Sequence, residues 1–334
     1  MRLIGVAVIL TLSLSLAPLA AQTQQAERIY RVGFMFSTSP VSEMMGPDPP
    51  HPHARAFVHG LRDRGYVEGR NLIIERRTGE GKVERYREVV AELVQLHVDI
   101  IAVASTQVAI AAKQATSTIP IVCVCGNAVE SGLVASLARP GANVTGVSNV
   151  PAATLAAKRL ALFKEAIPKL SRVAVIYQPV IPDQRDQLNE FARAARALNI
   201  TLVSAKADRP DDFPSAYAAV ARERVDGFMS ADSAINYAQR RQLVDFAAQN
   251  RLPAFYAQRE FVDVGGLMSY GANLPDLYRA LAGYVDKILK GVKPADLPIE
   301  QATTFELVIN MKTAKALGLT IPQSILLRAD QVIE

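Results

Sequence analysis

The chain has 334 residues, half of them hydrophobic and 21% charged, enough for one large domain or two ordinary ones and too apolar for a disordered chain. Its 37 Lys and Arg against 32 Asp and Glu give a formal charge of +5, spread without any basic block, which argues against nucleic acid as a partner.

Residues 1–21 read as an export signal. Arg2 precedes an apolar run from Leu3 to Leu16, and Ala17-Pro18-Leu19-Ala20-Ala21 offers small residues for cleavage. The run is too short and too Ser/Thr-broken to span a membrane. A polar stretch from Gln22 to Arg28 follows, then the strand IYRVGFMF (29–36) and a Ser/Pro-rich loop reaching about Pro52. HARAFVHGLRDRG is a helix whose Ala54, Phe57, Val58 and Leu61 share one face and which Gly65 ends. NLIIERR, the helix KVERYREVVAELVQL, VDIIAVAS, the helix QVAIAAKQA and IPIVCVC continue an alternation of strand and helix. The strands are continuous apolar runs, as expected of a parallel sheet covered by helices on both faces.

The second half repeats the plan: RVAVIY, the helix PDQRDQLNEFARAARAL, ITLVSA, VDGFMS, the helix INYAQRRQLVDFAAQN, LPAFYA and GGLMSYG. Val98-Asp99 opens a strand ending at Ser105-Thr106, and after a helix comes Ile119-Pro120; Val225-Asp226 opens one ending at Asp232-Ser233, and after a helix comes Leu252-Pro253. This positional repeat predicts an α/β fold of two Rossmann-like lobes. Thr145–Ala153, Ser269–Pro275 and LPIEQATTFELVIN would carry the chain between them, forming a hinge and therefore a cleft.

Ligands of open parallel sheets bind beyond the carboxyl ends of the strands. At one such end, Asn127 is placed to cap a helix with Glu130 three residues on, Leu133, Val134 and Leu137 would bury its face, and Gly126 would let a ligand approach backbone. First-turn amides there would meet an anion. Small polar residues recur at other strand ends: Ser37 and Thr38, Ser105 and Thr106, Asp232 and Ser233, with Tyr177 and Tyr256 closing two strands of the second half. These ten positions are the expected ligand-binding set. Cys123 and Cys125 lie two apart on one strand, so their parallel Cβ directions suit buried thiols better than a disulfide. Asp48, His51 and His53 in DPPHPH could hold a metal, but that segment reads as a solvated loop, so no metal site is expected. No G-x-G-x-x-G, P-loop or G-x-S-x-G pattern is present, so neither an enzyme nor a cofactor is expected.

GLRDRGYVEGRN, AAKQATSTIPIV, SGLVASLARPGANVTG, REFVDVGGLMSYG, LPDLYRALAGYVDKILKG and FELVINMKTAKALGLTIPQSILLRAD resemble segments of ABC importer substrate-binding proteins of the tryptophan/tyrosine type, in the same order. The resemblance runs from about Ile29 to the C-terminus. It implies the type I periplasmic binding fold, with residues 28–148 and 274–302 in an N-terminal lobe and 149–273 and 303–334 in a C-terminal lobe. It also implies a monomer in the periplasm that takes a small amino acid or carboxylate-like ligand to an ABC permease and its ATPase subunits. A secreted sensor of the same fold, serving a membrane receptor, is the alternative. The family usually shows Asp-Pro where this chain has Asn127-Ala128, which removes a charge from the implied pocket.

Overall fold

A computed structural model describes residues 28–334 except Asn127, Val150 and Pro151. The export-signal reading of 1–21 and the cap assigned to Asn127 lie outside the described residues. In chain order the elements are β1 (Tyr30–Phe36), α1 (Pro52–Arg62), β2 (Leu72–Thr78), α2 (Tyr86–Gln95), β3 (Ile100–Val103), α3 (Thr106–Ala115), β4 (Ile121–Cys125) and β5 (Val144–Ser148). Next come α4 (Ala152–Ala166), β6 (Arg172–Tyr177), α5 (Pro182–Ala197), β7 (Thr201–Lys206), α6 (Phe213–Arg222), β8 (Gly227–Ser230), α7 (Ala234–Ala238) and α8 (Arg240–Gln249). The chain ends with β9 (Ala254–Tyr256), α9 (Arg259–Asp263), β10 (Met268–Ala272), α10 (Leu274–Leu289), β11 (Glu300–Gln301), β12 (Phe305–Asn310), α11 (Met311–Ala316), α12 (Gln323–Leu326) and β13 (Gln331–Ile333).

Two sheets form, one per lobe, in the orders β11-β5-β4-β3-β1-β2 and β13-β12-β10-β9-β8-β6-β7. Every pairing between these strands is parallel except β10 with β12. Central strands such as β3 and β4 are buried throughout, whereas the edge strand β2 alternates buried and half-buried residues. That difference follows from covering: a central strand has helices on both faces, an edge strand does not. Each sheet accordingly carries two apolar cores. Val32, Phe34 and Phe36 of β1 face α1 and α10, while Met35 faces α2 and α3. Cys123 and Cys125 belong to the latter core as free thiols, and the Cys123 thiol is pushed up by its hydrogen bond with Cys125 and by burial.

The chain passes between the sheets after β5, after β10 and after β11. α10 follows a strand of the second sheet yet lies on α1. Its Asn273 cap accepts the Asp276 amide at 3.1 Å, Pro275 sits in the first turn, and Leu277, Tyr278, Leu281, Ala282 and Val285 bury one stripe. The link before it is tighter than its composition suggests. Tyr270, Gly271 and Ala272 are paired with Leu307, Glu306 and Phe305, and a Cβ on Gly271 would stand 1.9 Å from the Ala257 carbonyl oxygen. Glycine is there for close backbone approach rather than as a free joint.

One expected element is absent. Residues 128–138 form turns, not a helix, and Gly132 interrupts them at φ +71°. Leu133 and Val134 are buried as the apolar pattern requires, but the carbonyls of Gly132 and Leu133 are satisfied by Lys113 Nζ at 3.2 and 2.7 Å instead of by a helical ladder. Among the described residues after Gly126 there are thus no helical first-turn amides to receive an anion.

Candidate functional site

Where the lobes meet, a cavity of about 230 Å³ opens at the carboxyl ends of the strands. The first lobe supplies the ends of β1, β3 and β4; the second supplies the loop after β8 and the start of α5. The beginnings of α1 and α10 close one end.

Seven of the ten expected residues line this space: Ser37, Thr38, Ser105, Thr106, Gly126, Asp232 and Ser233. Ser105 caps α3 by accepting the Val108 amide at 3.2 Å, and Ser233 caps α7 by accepting the Asn236 amide at 3.0 Å. Thr106 Oγ1 accepts the Gly126 N–H at 2.9 Å, so that amide already has a partner. Thr38 Oγ1 donates across the cleft to the Ala234 carbonyl at 3.3 Å. Tyr177 and Tyr256 stand elsewhere. Tyr177 packs against the second lobe's core, and Tyr256 is fully buried with its ring stacked on Phe261 at 4.7 Å. Just past those strand ends, Gln178 is buried in the second lobe and bonded to Asn236 at 3.0 Å, while Gln258 lines the cavity.

Asp232 is the most elaborately held group of the cleft. Gln258 Nε2 donates to its Oδ1 at 3.0 Å, Arg159 Nη2 lies 3.4 Å from its Oδ2, Gln187 accepts its N–H at 2.8 Å, and Gln184 donates to its carbonyl. Arg159 is 2% exposed and also donates from Nε to the Tyr270 carbonyl at 2.8 Å. Burial pulls its guanidinium down, and Asp232 opposes that. An arginine with so little water around it needs such a partner.

The end wall is a cluster of rings that the sequence reading had left in a solvated loop. Ring centroids of Phe36 and His51 are 4.7 Å apart, of His53 and Tyr278 4.9 Å, and of His53 and Tyr237 5.2 Å. His51 and His53 are both buried. His51 caps α1 through Nδ1, which accepts the His53 amide at 3.3 Å, and Pro52 follows at the first helical position. His53 Nε2 lies 2.8 Å from Glu260 Oε1, joining α1 to α9 across the two lobes. Burial alone would raise the Glu260 carboxyl, but the His53 charge and hydrogen bond, a backbone amide and Arg259 hold it below the usual carboxylate range. Asp48 pairs with His59 at 3.0 Å instead of with either of these histidines. Among the described residues no group of three or more His, Cys, Asp or Glu is placed to hold a metal ion. The spacing of Pro52 after His51 signalled the cap; nothing local signalled Glu260, 207 residues away from its partner.

The arrangement leaves room for a small molecule between two polar sides and an aromatic end. Among the described residues no helix is long and apolar enough to cross a membrane. Comparison with known proteins agrees with this geometry. A tyrosine-binding protein of Clostridioides difficile (strain R20291) is 26% identical over 266 residues, 79% of this chain and 76% of that protein. A conserved domain protein from Vibrio cholerae superposes with a TM-score of 0.81 at 28% identity, and the ABC domain in complex with L-Trp from Streptococcus pneumonia with 0.80 at 26%, each over 91% of this chain and all of the other. The family model for ABC transporter substrate binding proteins matches residues 50–333, and the chain belongs to that family of small-molecule binders.

Proposed function

We propose that this protein is the exported, ligand-capturing subunit of an ABC importer, and that it closes its lobes on an aromatic amino acid and presents it to a membrane permease. The carrying observation is the distribution of charge in the cleft. Asp183 and Asp232 line it, and none of the described lining residues is Lys or Arg. Asp232 already engages Arg159, and the described lining offers a plain carboxylate no cation, so a ligand that brings its own suits this side of the cleft. The first lobe contributes Ser37, Thr38 and the N-terminus of α3 with Ser105 and Thr106, whose hydroxyls suit a carboxylate, while the Asp183 carboxylate, beside Gly126, faces the ligand's amine. A zwitterion satisfies both sides. The ring cluster then receives an apolar, flat side chain. The tyrosine-binding relative and the L-Trp-bound neighbour support the same reading.

The protein works as a monomer in the periplasm, without a cofactor, and lobe closure is what distinguishes loaded from empty for the permease. Thermal shift of the protein lacking residues 1–21 against the twenty amino acids and their deaminated acids tests this. An aromatic amino acid at a hundred times its dissociation constant should add about 2.7 kcal/mol of stability. Equal stabilisation by the acid lacking the amine would refute the zwitterion reading.

A further inference from the structure

We propose that His51 and Tyr237, one from each lobe, read a hydroxyl on the ring of the ligand, so that the cleft selects a hydroxyphenyl side chain over phenyl or indole; this rests on the aromatic amino-acid reading above. Both residues line the cavity, at 2% and 5% exposure, and both carry a buried polar atom without a partner: Nε2 of His51 and the Tyr237 hydroxyl. Their rings lie 5.5 Å apart.

The His51 atom has a fixed chemical character. Its Nδ1 accepts the His53 backbone N–H, so the proton of the neutral ring sits on Nε2, which is a donor and nothing else. Burial, with the charges of His53 and Arg240, pulls this imidazole down to about 2, so it stays neutral. A buried donor of this kind asks for an acceptor. The Glu260 carboxylate in the same cluster, whose field reaches Tyr237 and Tyr278, offsets the positive charge near His51, so a neutral acceptor suits this position. The ligand's own carboxylate therefore belongs at the α3 end. A neutral oxygen that accepts from His51 and exchanges a hydrogen bond with Tyr237 is a hydroxyl. Indole offers an N–H, which Tyr237 could accept but which leaves His51 unanswered; phenyl offers neither. Phe36 and Tyr278, inclined by only 19°, add flat apolar surfaces in the same wall.

Titration calorimetry with L-tyrosine, L-phenylalanine and L-tryptophan, on the wild type, Tyr237→Phe and His51→Asn, tests the assignment. Asn at position 51 retains a good helix cap while removing the distant donor. The wild type should bind L-tyrosine at least tenfold more tightly than the other two, since a site built for a hydroxyl rejects analogues that lack it. Each variant should bring the tyrosine-to-phenylalanine ratio down toward one. If the wild type binds none of the three, the aromatic amino-acid reading falls and this inference with it. If it binds phenylalanine or tryptophan as tightly as tyrosine, or if the ratio survives in Tyr237→Phe, the hydroxyl assignment alone is overturned. Tyr237→Phe removes a single oxygen, so it decides the matter even where His51→Asn folds poorly.

Discussion

Replacing Glu260 by Gln isolates the charge that ties the lobes together. The His53–Glu260 contact is 2.8 Å long, its side chains are 5% and 8% exposed, and it bridges α1 and α9. A hydrogen bond from His53 to the Glu260 carboxylate contributes about 1.5–3 kcal/mol in favour of the joined lobes. Gln retains an oxygen acceptor for His53 and nearly the same volume, so the fold should be kept while closure weakens. Ligand affinity should drop by about 5- to 150-fold, because a ligand that bridges both lobes must then supply the missing closing energy. The pH dependence follows from the direction of the shift. A carboxyl held below its ordinary value contributes fully above about pH 4.3 and loses that contribution as pH falls through its depressed value. Affinity in the wild type should therefore decline on acidification below that range, and the Gln variant should lack this part of the decline. Calorimetry across the range, with small-angle scattering for the radius of gyration, provides the readout. Unchanged affinity and an unchanged shape in Glu260→Gln would refute the view that this pair holds the lobes.

Ser105→Ala with Thr106→Ala should weaken ligand binding by about 1–3 kcal/mol in calorimetry. It should also lower the melting temperature, since the pair supplies the α3 cap and the acceptor for Gly126 N–H. Arg159→Met would strand the Asp232 carboxylate beside apolar core and should cost about 3–5 kcal/mol in urea unfolding. Gly271→Ala would press a methyl group into the Ala257 carbonyl and should cost at least the ~1–3 kcal/mol typical of overpacking, read from the same unfolding curves.

Much of the architecture was legible because burial on two faces leaves a simple mark. IIAV and IVCVC, with no charge in them, are central strands. The segment after Gly126 was misread because Leu133, Val134 and Leu137 keep helical spacing, while Ser131-Gly132 permits the positive φ that ends any ladder there. Strand ends pointed to the right edge of each sheet, but not how far beyond the last strand residue the chain runs before a side chain leaves the core. Tyr256 went into the core and Gln258, two further on, reached the cleft. The ring wall was invisible for a different reason: Phe36, His51, Tyr237 and Tyr278 come from four separate elements and two lobes, and no local pattern encodes their meeting.

The course of α10 carries a consequence for biogenesis. Until residues 274–289 emerge from the ribosome, the side of α1 that packs on α10 has no cover, although every strand of the first sheet but β11 has already been made. The second sheet waits longer still, since β12 and β13 are the last strands synthesised. Neither lobe is complete while the chain grows, and each is finished by segments that follow β10. The nascent chain thus keeps apolar surface uncovered almost to its end. For the export proposed above this delay is useful, because a chain that cannot finish folding early remains threadable.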